Sequence, residues 1–208
     1  MENGFFITFE GGEGVGKTTQ IKHLEERLNQ NHDVVLTREP GGTPSAEAIR
    51  DLIFAPEYDG QWTAEAETLM MFAARAMHIK DVIAPALDDS KIIICDRYMD
   101  STRVYQGHVK GVDADLIGTL EAKIVAKFTP NLTLILDLPA EVAMTRVQGR
   151  GAENNNDRGN LDFYNNLRQG FLNIAKENPD RCVVIDASLD EQTIAESIYK
   201  VVSERLAQ

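Results

Sequence analysis

Five short apolar runs, separated by longer amphipathic segments, dominate the hydrophobic pattern of this chain. Each run is rich in isoleucine, valine, leucine or phenylalanine, as is typical of strands buried on both faces of a parallel sheet. The runs cover residues 4–9, 33–37, 91–95, 132–136 and 181–185. We therefore expect five buried strands.

The segments between these runs carry apolar residues at helical spacing, such as Leu24 and Leu28 after the first run. Capping residues mark several helix starts: Thr43 precedes Pro44, and Asp113 precedes another periodic segment. Besides the helix that follows residue 17, we predict helices at 43–54, 63–85, 113–128, 140–150, 161–178 and 190–206. Strands that alternate with helices predict a doubly wound α/β sandwich with a parallel sheet, whose ligands bind at the carboxyl ends of the strands.

Composition limits the partners that we expect. The 208 residues are 43% apolar and contain no linker rich in proline, glycine or serine, so we predict one domain over 1–208. The net charge of −12 and the scattered basic residues argue against a nucleic-acid or anionic-membrane surface, and no apolar stretch is long enough to span a membrane. Cys95 and Cys182 lie in or beside β-branched runs without C-x-x-C spacing, which fits a reduced, cytoplasmic protein.

A glycine-rich loop follows the first run and precedes the first helix. Residues 11–18, Gly-Gly-Glu-Gly-Val-Gly-Lys-Thr, fit the pattern G-x-x-x-x-G-K-[ST]. Main-chain N–H groups of such a loop converge on phosphate oxygens, and the helix N-terminus adds partial positive charge. Lys17 can reach the β and γ phosphates, and Thr18 can hold Mg²⁺. The loop predicts a nucleoside triphosphate site in a three-layer sandwich of the P-loop NTPase type, rather than a turn without a ligand.

The third predicted strand is followed by Asp96 and Arg97. An acidic residue at a strand tip beside a phosphate loop suits Mg²⁺ or its water shell. The planar guanidinium of Arg97 offers two parallel donors that match a phosphate. A simple surface ion pair is the alternative, and the neighbouring phosphate loop makes the functional interpretation the stronger one.

Other functions also use a phosphate loop. A GTPase switch needs an N-K-x-D motif, which this chain lacks, and its one D-x-x-G, at 115–118, falls inside a predicted helix. A different P-loop small-molecule or nucleoside kinase would need a base for a hydroxyl acceptor, and Asp96 or Glu39 are candidates. A nucleotide-sensing protein would bind ATP without turnover and would have no use for arginines on the acceptor side.

Several segments resemble the thymidylate kinase family, whose members phosphorylate dTMP to dTDP with ATP. The stretch 94–106, Ile-Cys-Asp-Arg-Tyr-Met-Asp-Ser-Thr-Arg-Val-Tyr-Gln, is similar to the signature segment of that family position by position. The segments 38–43 and 73–75 and the phosphate loop also match in order and separation, so that the resemblance covers nearly the whole chain.

The resemblance implies a role for each matching residue. Arg38 and Arg97 would bind the dTMP phosphate, Arg75 the carbonyl edge of thymine, and Tyr105 the deoxyribose, while Thr102 and Gln106 would contact the base. Lys17, Arg97 and a lid arginine would be catalytic, and Thr18 and Asp96 would hold Mg²⁺. The ATP site would comprise Gly11, Gly12, Glu13, Gly14, Val15, Gly16, Lys17, Thr18, Thr19 and Arg146.

Two assignments remain open. Family members commonly stack a phenylalanine on the base four residues before the helix arginine; that position is Met71 here, so that either Met71 or its neighbour Phe72 stacks. The polar stretch at about 146–160 corresponds to the lid, in which Arg150 is our first candidate for the transition-state cation and Arg158 the second. The family is usually homodimeric, and we expect a homodimer here.

The charge pattern fits a phosphate monoester as acceptor. Such a group has a second pKa of about 6, is largely dianionic at neutral pH and needs no general base. Positioning and electrostatic stabilisation then supply most of the rate, and one well-placed arginine is worth roughly 10³ to 10⁵ in turnover. Arginines should therefore outnumber titrating groups around the acceptor.

Overall fold

Five parallel strands form one sheet in the computed structural model, which describes residues 4–149 and 160–207. Their order is β2-β3-β1-β4-β5. The strands are β1 Phe5–Glu10, β2 Val34–Arg38, β3 Ile92–Asp96, β4 Leu132–Asp137 and β5 Cys182–Asp186. Each strand corresponds to a predicted apolar run but extends one residue further, because its last ladder position is polar or charged.

Helices flank the sheet. Within the described residues they are α1 Lys17–Leu28, α2 Pro44–Phe54, α3 Ala64–His78, α4 Ala84–Asp88, α5 Met99–Thr102, α6 Ala114–Ile124, α7 Ala140–Gln148, α8 Leu161–Glu177 and α9 Glu191–Leu206. A π-helical turn, Ile79–Ile83, joins α3 to α4, and a second π-helical segment, Arg103–Val109, continues α5. We call residues 99–109 the signature helix; the apolar periodicity did not predict it.

The capping residues behave as the sequence predicts. The Thr43 hydroxyl accepts a hydrogen bond from Ala46 N at 3.1 Å, and the carboxylate of Asp113 accepts one from Asp115 N at 2.7 Å. Helix α6 is shorter than predicted because Ala126 adopts a left-handed φ of 45°, which ends the helix before residue 128.

The core divides into layers because side chains alternate along the strands. Ile7 and Ile94 belong to a buried cluster that includes residues of α1, α7 and α9. Phe6 and Ile93 point the other way, into a second cluster with residues of α3 and α6. Within the described ranges, helices therefore cover both faces of the sheet. No helix in the described ranges has the length and apolar content needed to cross a bilayer.

Candidate active site

The carboxyl edge of the sheet brings charged strand ends together. Arg38 pairs in register with Asp96, and Phe9, which precedes Glu10, pairs with Asp96 from the other side. Three adjacent strands thus end in Arg38, Asp96 and Glu10, and the phosphate loop leaves directly from the last of these. This is the edge at which a doubly wound sheet binds its ligands.

The phosphate loop requires its glycines. Gly14 has a φ of 80°, and a Cβ atom there would lie 2.6 Å from the carbonyl oxygen of Ala143 in α7. Gly16, with a φ of 97°, leads into the first turn of α1, where Lys17 begins the helix. The N–H groups of that first turn have no partner in the helix itself and face the loop, as an anion site needs.

Lys17 lies folded back on its own loop. Its ammonium group donates to the carbonyl oxygens of Gly11 at 3.1 Å and Gly12 at 2.9 Å, and only 8% of the residue is exposed. Burial and the nearby Arg97 guanidinium lower its pKa to about 7. A polyanion at the loop would favour the charged form, so that Lys17 is suited to gain a proton and a partner when phosphate binds.

Arg97 lies beside the same loop. Its Nη1 atom donates to the Gly11 carbonyl oxygen at 3.0 Å and to Ser101 Oγ at 3.2 Å, and its guanidinium carbon lies 5.0 Å from the centre of the Tyr105 ring. The backbone is left-handed, with a φ of 68°, and is held there by bonds from Arg97 N to Phe9 O and from the Cys95 thiol to Arg97 O.

Two carboxylate oxygens of the site are buried without a hydrogen-bond partner among the described residues: Asp96 Oδ1 and Glu13 Oε2. Burial of an anionic oxygen without a partner costs free energy unless a cation or a water molecule binds to it. The described ranges hold no cluster of three or more metal-ligating side chains. This donor set fits Mg²⁺, which binds through one or two carboxylates and completes its shell with water and substrate phosphate.

Glu10 organises the start of the signature helix. Its Oε1 atom accepts from Tyr98 N at 2.8 Å and from Ser101 N at 3.3 Å, and its Oε2 atom accepts from Ser101 Oγ at 2.6 Å. Burial, followed by the nearby charge of Asp100, raises its pKa to about 7. Glu10 thus connects β1 to the helix that carries Thr102, Tyr105 and Gln106, which are predicted to contact the acceptor.

Two further arginines, Arg38 and Arg50, lie near Asp96. Arg38 is exposed and donates to both carboxylate oxygens of Glu47, at 3.0 and 2.8 Å. Arg50, on α2, donates to Pro40 O at 2.9 Å. Burial, and then the charge of Arg38, lower the pKa of Arg50. The charges of Glu47 and Asp96 act in the opposite direction and raise it. The sequence motifs did not identify Arg50, although it follows Arg38 by twelve positions on the next helix.

Arg75 is a buried residue with several partners. Its Nε atom donates to Glu39 Oε2 at 2.7 Å, and its Nη2 atom donates to Tyr98 O at 3.2 Å and Thr102 Oγ1 at 3.0 Å. Glu39 Oε1 also bonds His78 Nδ1 at 2.8 Å. Sequence reasoning missed this use of Glu39 and His78; the spacing of His78, three residues after Arg75 on one helix face, was the available signal.

Residues of the signature helix face α3. Thr102 and Gln106 are both buried, and Gln106 Nε2 donates to Glu67 Oε1 at 2.7 Å. The ring of Tyr105 lies against Arg97 and, edge to face, against Phe171 of α8 at 6.3 Å. The structure therefore places Thr102 beside Arg75, Tyr105 beside Arg97 and Gln106 beside Glu67. We call this region, between α3 and the signature helix, the cleft; sequence reasoning overlooked Glu67.

Phe72 does not line this cleft. Its side chain is 1% exposed and belongs to the core cluster that contains Phe6 and Tyr98. One step along an α-helix turns a side chain by about 100°, so that Met71, four residues from both Glu67 and Arg75, shares their face instead. The expectation that Phe72 contacts the base therefore passes to Met71, which is half-buried.

The remaining predicted residues lie at the edge of the cleft or beyond the described ranges. Thr18 is exposed and Thr19 is half-buried in the first turn of α1. Arg146 is exposed on α7, with Nη1 at 3.5 Å from Gly14 O. Arg150 and Arg158, and most of the predicted lid, lie outside the described residues.

Several known proteins are similar to this chain over nearly its full length, and they are thymidylate kinases. The family model "Thymidylate kinase" matches residues 9–198. A thymidylate kinase of Caulobacter vibrioides is 49% identical over 207 residues, which are 99% of each chain, and that of Syntrophotalea carbinolica is 44% identical over 196 residues, 90% of each. A crystal structure of thymidylate kinase from Ehrlichia chaffeensis matches with a TM-score of 0.80 at 36% identity, covering 96% of this chain and 98% of that one. Since the similarity extends over nearly the full length, and the cleft holds a phosphate loop beside a group of arginines, this chain belongs to the thymidylate kinase family.

Proposed function

We propose that this protein phosphorylates dTMP to dTDP with ATP by holding the two substrates in facing anion sites. One observation carries the proposal: Arg97 donates to the phosphate loop at Gly11 while its guanidinium packs on Tyr105, on the acceptor side. A group placed there contacts both the donor loop and the acceptor cleft. A different small-molecule or nucleoside kinase is not favoured by the family match.

The donor site is formed by the loop and the first turn of α1. The main-chain N–H groups of residues 11–19 bind the ATP phosphates. When ATP binds, the Lys17 ammonium group moves from the carbonyl oxygens of Gly11 and Gly12 to the β and γ phosphates. We also assign Arg146 of α7 to the ATP site, because its Nη1 atom lies 3.5 Å from the Gly14 carbonyl oxygen of the loop.

Thr18 and Asp96 are the residues that would hold Mg²⁺. Thr18 offers a hydroxyl at the start of α1, and Asp96 offers the buried, unpartnered Oδ1. The bound ion would neutralise charge that develops on the β and γ phosphate oxygens. Glu13, whose Oε2 also lacks a partner among the described residues, is our candidate for a contact through the water shell of the ion.

The acceptor site is formed by arginines and by the signature helix. We assign Arg97, Arg38 and Arg50 to the phosphate of the acceptor: Arg97 contacts the donor loop, and the charges of Arg38 and Arg97 both act on the pKa of Arg50. Arg75 and Thr102 face the base, Gln106 contacts its Watson–Crick edge, and Tyr105 packs on the sugar. Met71 lies between Arg75 and Glu67 on α3 and is our candidate for the base-stacking residue, since methionine sulfur packs well on an aromatic face.

No general base is required in this arrangement. A phosphate monoester is already largely dianionic at neutral pH, so that its oxygen attacks without losing a proton. Cations then lower the barrier by stabilising charge on the transferred group. We assign this role to Lys17, Arg97 and an arginine of the lid, with Arg150 as the first candidate and Arg158 as the second.

The quaternary state and location are proposals as well. We propose a homodimer, supported by exposed apolar side chains that include Leu52 and Phe54 of α2 and Leu69 of α3. Cys95 and Cys182 are both buried and unpaired, which supports a reducing, cytoplasmic setting.

A coupled ATPase assay with a panel of acceptors tests the function. The protein is incubated with ATP and Mg²⁺ and with dTMP, dUMP, thymidine, CMP or AMP in turn. We expect turnover with dTMP far above that with CMP or AMP, and none with thymidine. Turnover with thymidine alone would identify a hydroxyl kinase and reject the proposal.

A further inference from the structure

Two hydrogen-bonded contacts connect α3 to the signature helix. Arg75 Nη2 donates to Thr102 Oγ1 at 3.0 Å, and Gln106 Nε2 donates to Glu67 Oε1 at 2.7 Å. Glu67 and Arg75 lie two helical turns apart on one face of α3, with Met71 between them. We place the base in the cleft between these two helices, with Arg75 near one end and Gln106 near the other.

Glu67 fixes the direction of the Gln106 amide. A carboxylate oxygen only accepts hydrogen bonds, whereas an amide side chain carries a donor NH₂ and an acceptor oxygen. Lys110 Nζ donates to Glu67 Oε2 at 2.6 Å, which leaves Oε1 to accept from Gln106. Only the NH₂ group of Gln106 can therefore face Glu67.

The amide oxygen of Gln106 is then available for a ligand. Within the described part of the chain, Gln106 Oε1 accepts no hydrogen bond, although Gln106 is 3% exposed. An acceptor at this position matches a base that carries a hydrogen on N3. Thymine and uracil have N3–H, whereas N3 of cytosine is itself an acceptor and would oppose the Gln106 oxygen.

We propose that Glu67 is a specificity-determining positioning residue: by orienting the Gln106 amide, it selects pyrimidines with N3–H against cytosine. Glu67 acts through Gln106 and does not touch the substrate. This inference rests on the base contact of Gln106 in the proposed function. Buried polar groups that a wrong substrate leaves unpaired discriminate strongly, so that control of one amide is sufficient to change base preference.

Glu67→Gln tests the proposal by reversing the amide. The Lys110 ammonium attracts the oxygen of the new amide, whose NH₂ then faces Gln106 and draws the Gln106 oxygen toward itself. Gln106 would present its NH₂ to the base, which suits N3 of cytosine. We expect the ratio of kcat/KM for dCMP to kcat/KM for dUMP, which both lack the 5-methyl group, to rise by about 10-fold or more, mainly through KM.

Internal controls separate this effect from a general disturbance. The ratio for dTMP to dUMP should stay unchanged in Glu67→Gln, because both bases carry N3–H. Lys110→Met removes the ion pair but keeps the carboxylate, so that the dCMP to dUMP ratio should also stay unchanged. Glu121→Gln is the matched control: it removes the ion pair between Glu121 of α6 and Arg103 of the signature helix, away from the base. The dCMP to dUMP ratio should stay unchanged in this variant.

Gln106→Leu distinguishes the possible failures. A changed dCMP to dUMP ratio in Gln106→Leu with an unchanged ratio in Glu67→Gln would overturn the role of Glu67 alone. Unchanged ratios in both variants would reject the base contact of Gln106 as well. If Glu67→Gln does not fold, Glu67→Ala frees the amide to rotate and should raise the ratio by roughly 3-fold or more; no rise there would equally overturn the proposal.

Discussion

Arg97 Nη1 and the carbonyl oxygen of Gly11 are joined by a hydrogen bond of 3.0 Å, which links the end of β3 to the phosphate loop after β1. The two strands are neighbours, and the left-handed backbone at Arg97 turns its side chain toward that loop. Phosphoryl transfer depends on alignment of the donor phosphate with the acceptor oxygen. A residue held by the donor loop is therefore well placed to position the acceptor.

Asp96→Asn should raise the Mg²⁺ concentration needed for half-maximal velocity by about 10-fold or more, since loss of a metal-site partner typically costs 10–100-fold. The physical reason is the buried Oδ1 atom, which has no hydrogen-bond partner among the described residues. Velocity is measured against Mg²⁺ at saturating ATP and dTMP. Asp186→Asn, at the exposed end of β5, is the control and should leave the Mg²⁺ dependence unchanged. Equal Mg²⁺ dependence in Asp96→Asn and the unmodified protein would remove Asp96 from the metal site.

The raised pKa of Glu10 predicts a pH dependence of stability. Burial and Asp100 raise this pKa from 4.5 to about 7, so that the folded protein holds a proton that the unfolded chain releases between these values. The free energy of unfolding should therefore fall as pH rises through that window, by at most about 3 kcal/mol.

Glu10→Gln provides the comparison, because glutamine keeps an acceptor for Tyr98 N but does not titrate. Urea unfolding from pH 5 to pH 8 measures the free energy for both proteins. We expect Glu10→Gln to gain stability relative to the unmodified protein as the pH increases. Parallel curves would show that Glu10 does not titrate in this range.

Glu39→Gln should destabilise the protein by roughly 3 kcal/mol, because it leaves the buried Arg75 guanidinium with a neutral partner. The side chains of Arg75 and Glu39 are 2% and 4% exposed, so that water cannot replace the lost charge. Glu47→Gln is the control: Glu47 and Arg38 are 35% and 54% exposed, and the expected loss is below about 1 kcal/mol. Chemical denaturation measures both. Similar losses in the two variants would mean that the Arg75–Glu39 pair contributes no more than a surface contact.

The sequence predicted the strands and the helix caps because both depend on local patterns. Apolar runs identified all five strands, and Thr43 and Asp113 cap helices as expected. The signature helix was missed because its π-helical segment, Arg103–Val109, does not follow the 3.6-residue period on which helix prediction depends.

Contacts between residues far apart in the sequence could not be predicted. Arg75 was assigned to the base by resemblance, but its partner Glu39 lies 36 positions away and becomes visible only when β2 and α3 are packed together. Met71 and Phe72 are neighbours in sequence, but their side chains lie on different faces of α3: Phe72 is buried in the core, whereas Met71 is half-buried. A motif gives the order of residues along the chain, whereas the phase of a helix decides which of them reach the cleft.

The central claim is that Arg97 serves the acceptor while the phosphate loop binds the donor independently. Calorimetric titration of Arg97→Ala with dTMP, and separately with a non-hydrolysable ATP analogue and Mg²⁺, tests it most directly. We predict that dTMP affinity falls by about 100-fold, as expected for loss of a charge-assisted contact to phosphate, while affinity for the ATP analogue changes by less than about 3-fold. Equal losses of affinity for the two nucleotides would contradict the separation of donor and acceptor sites.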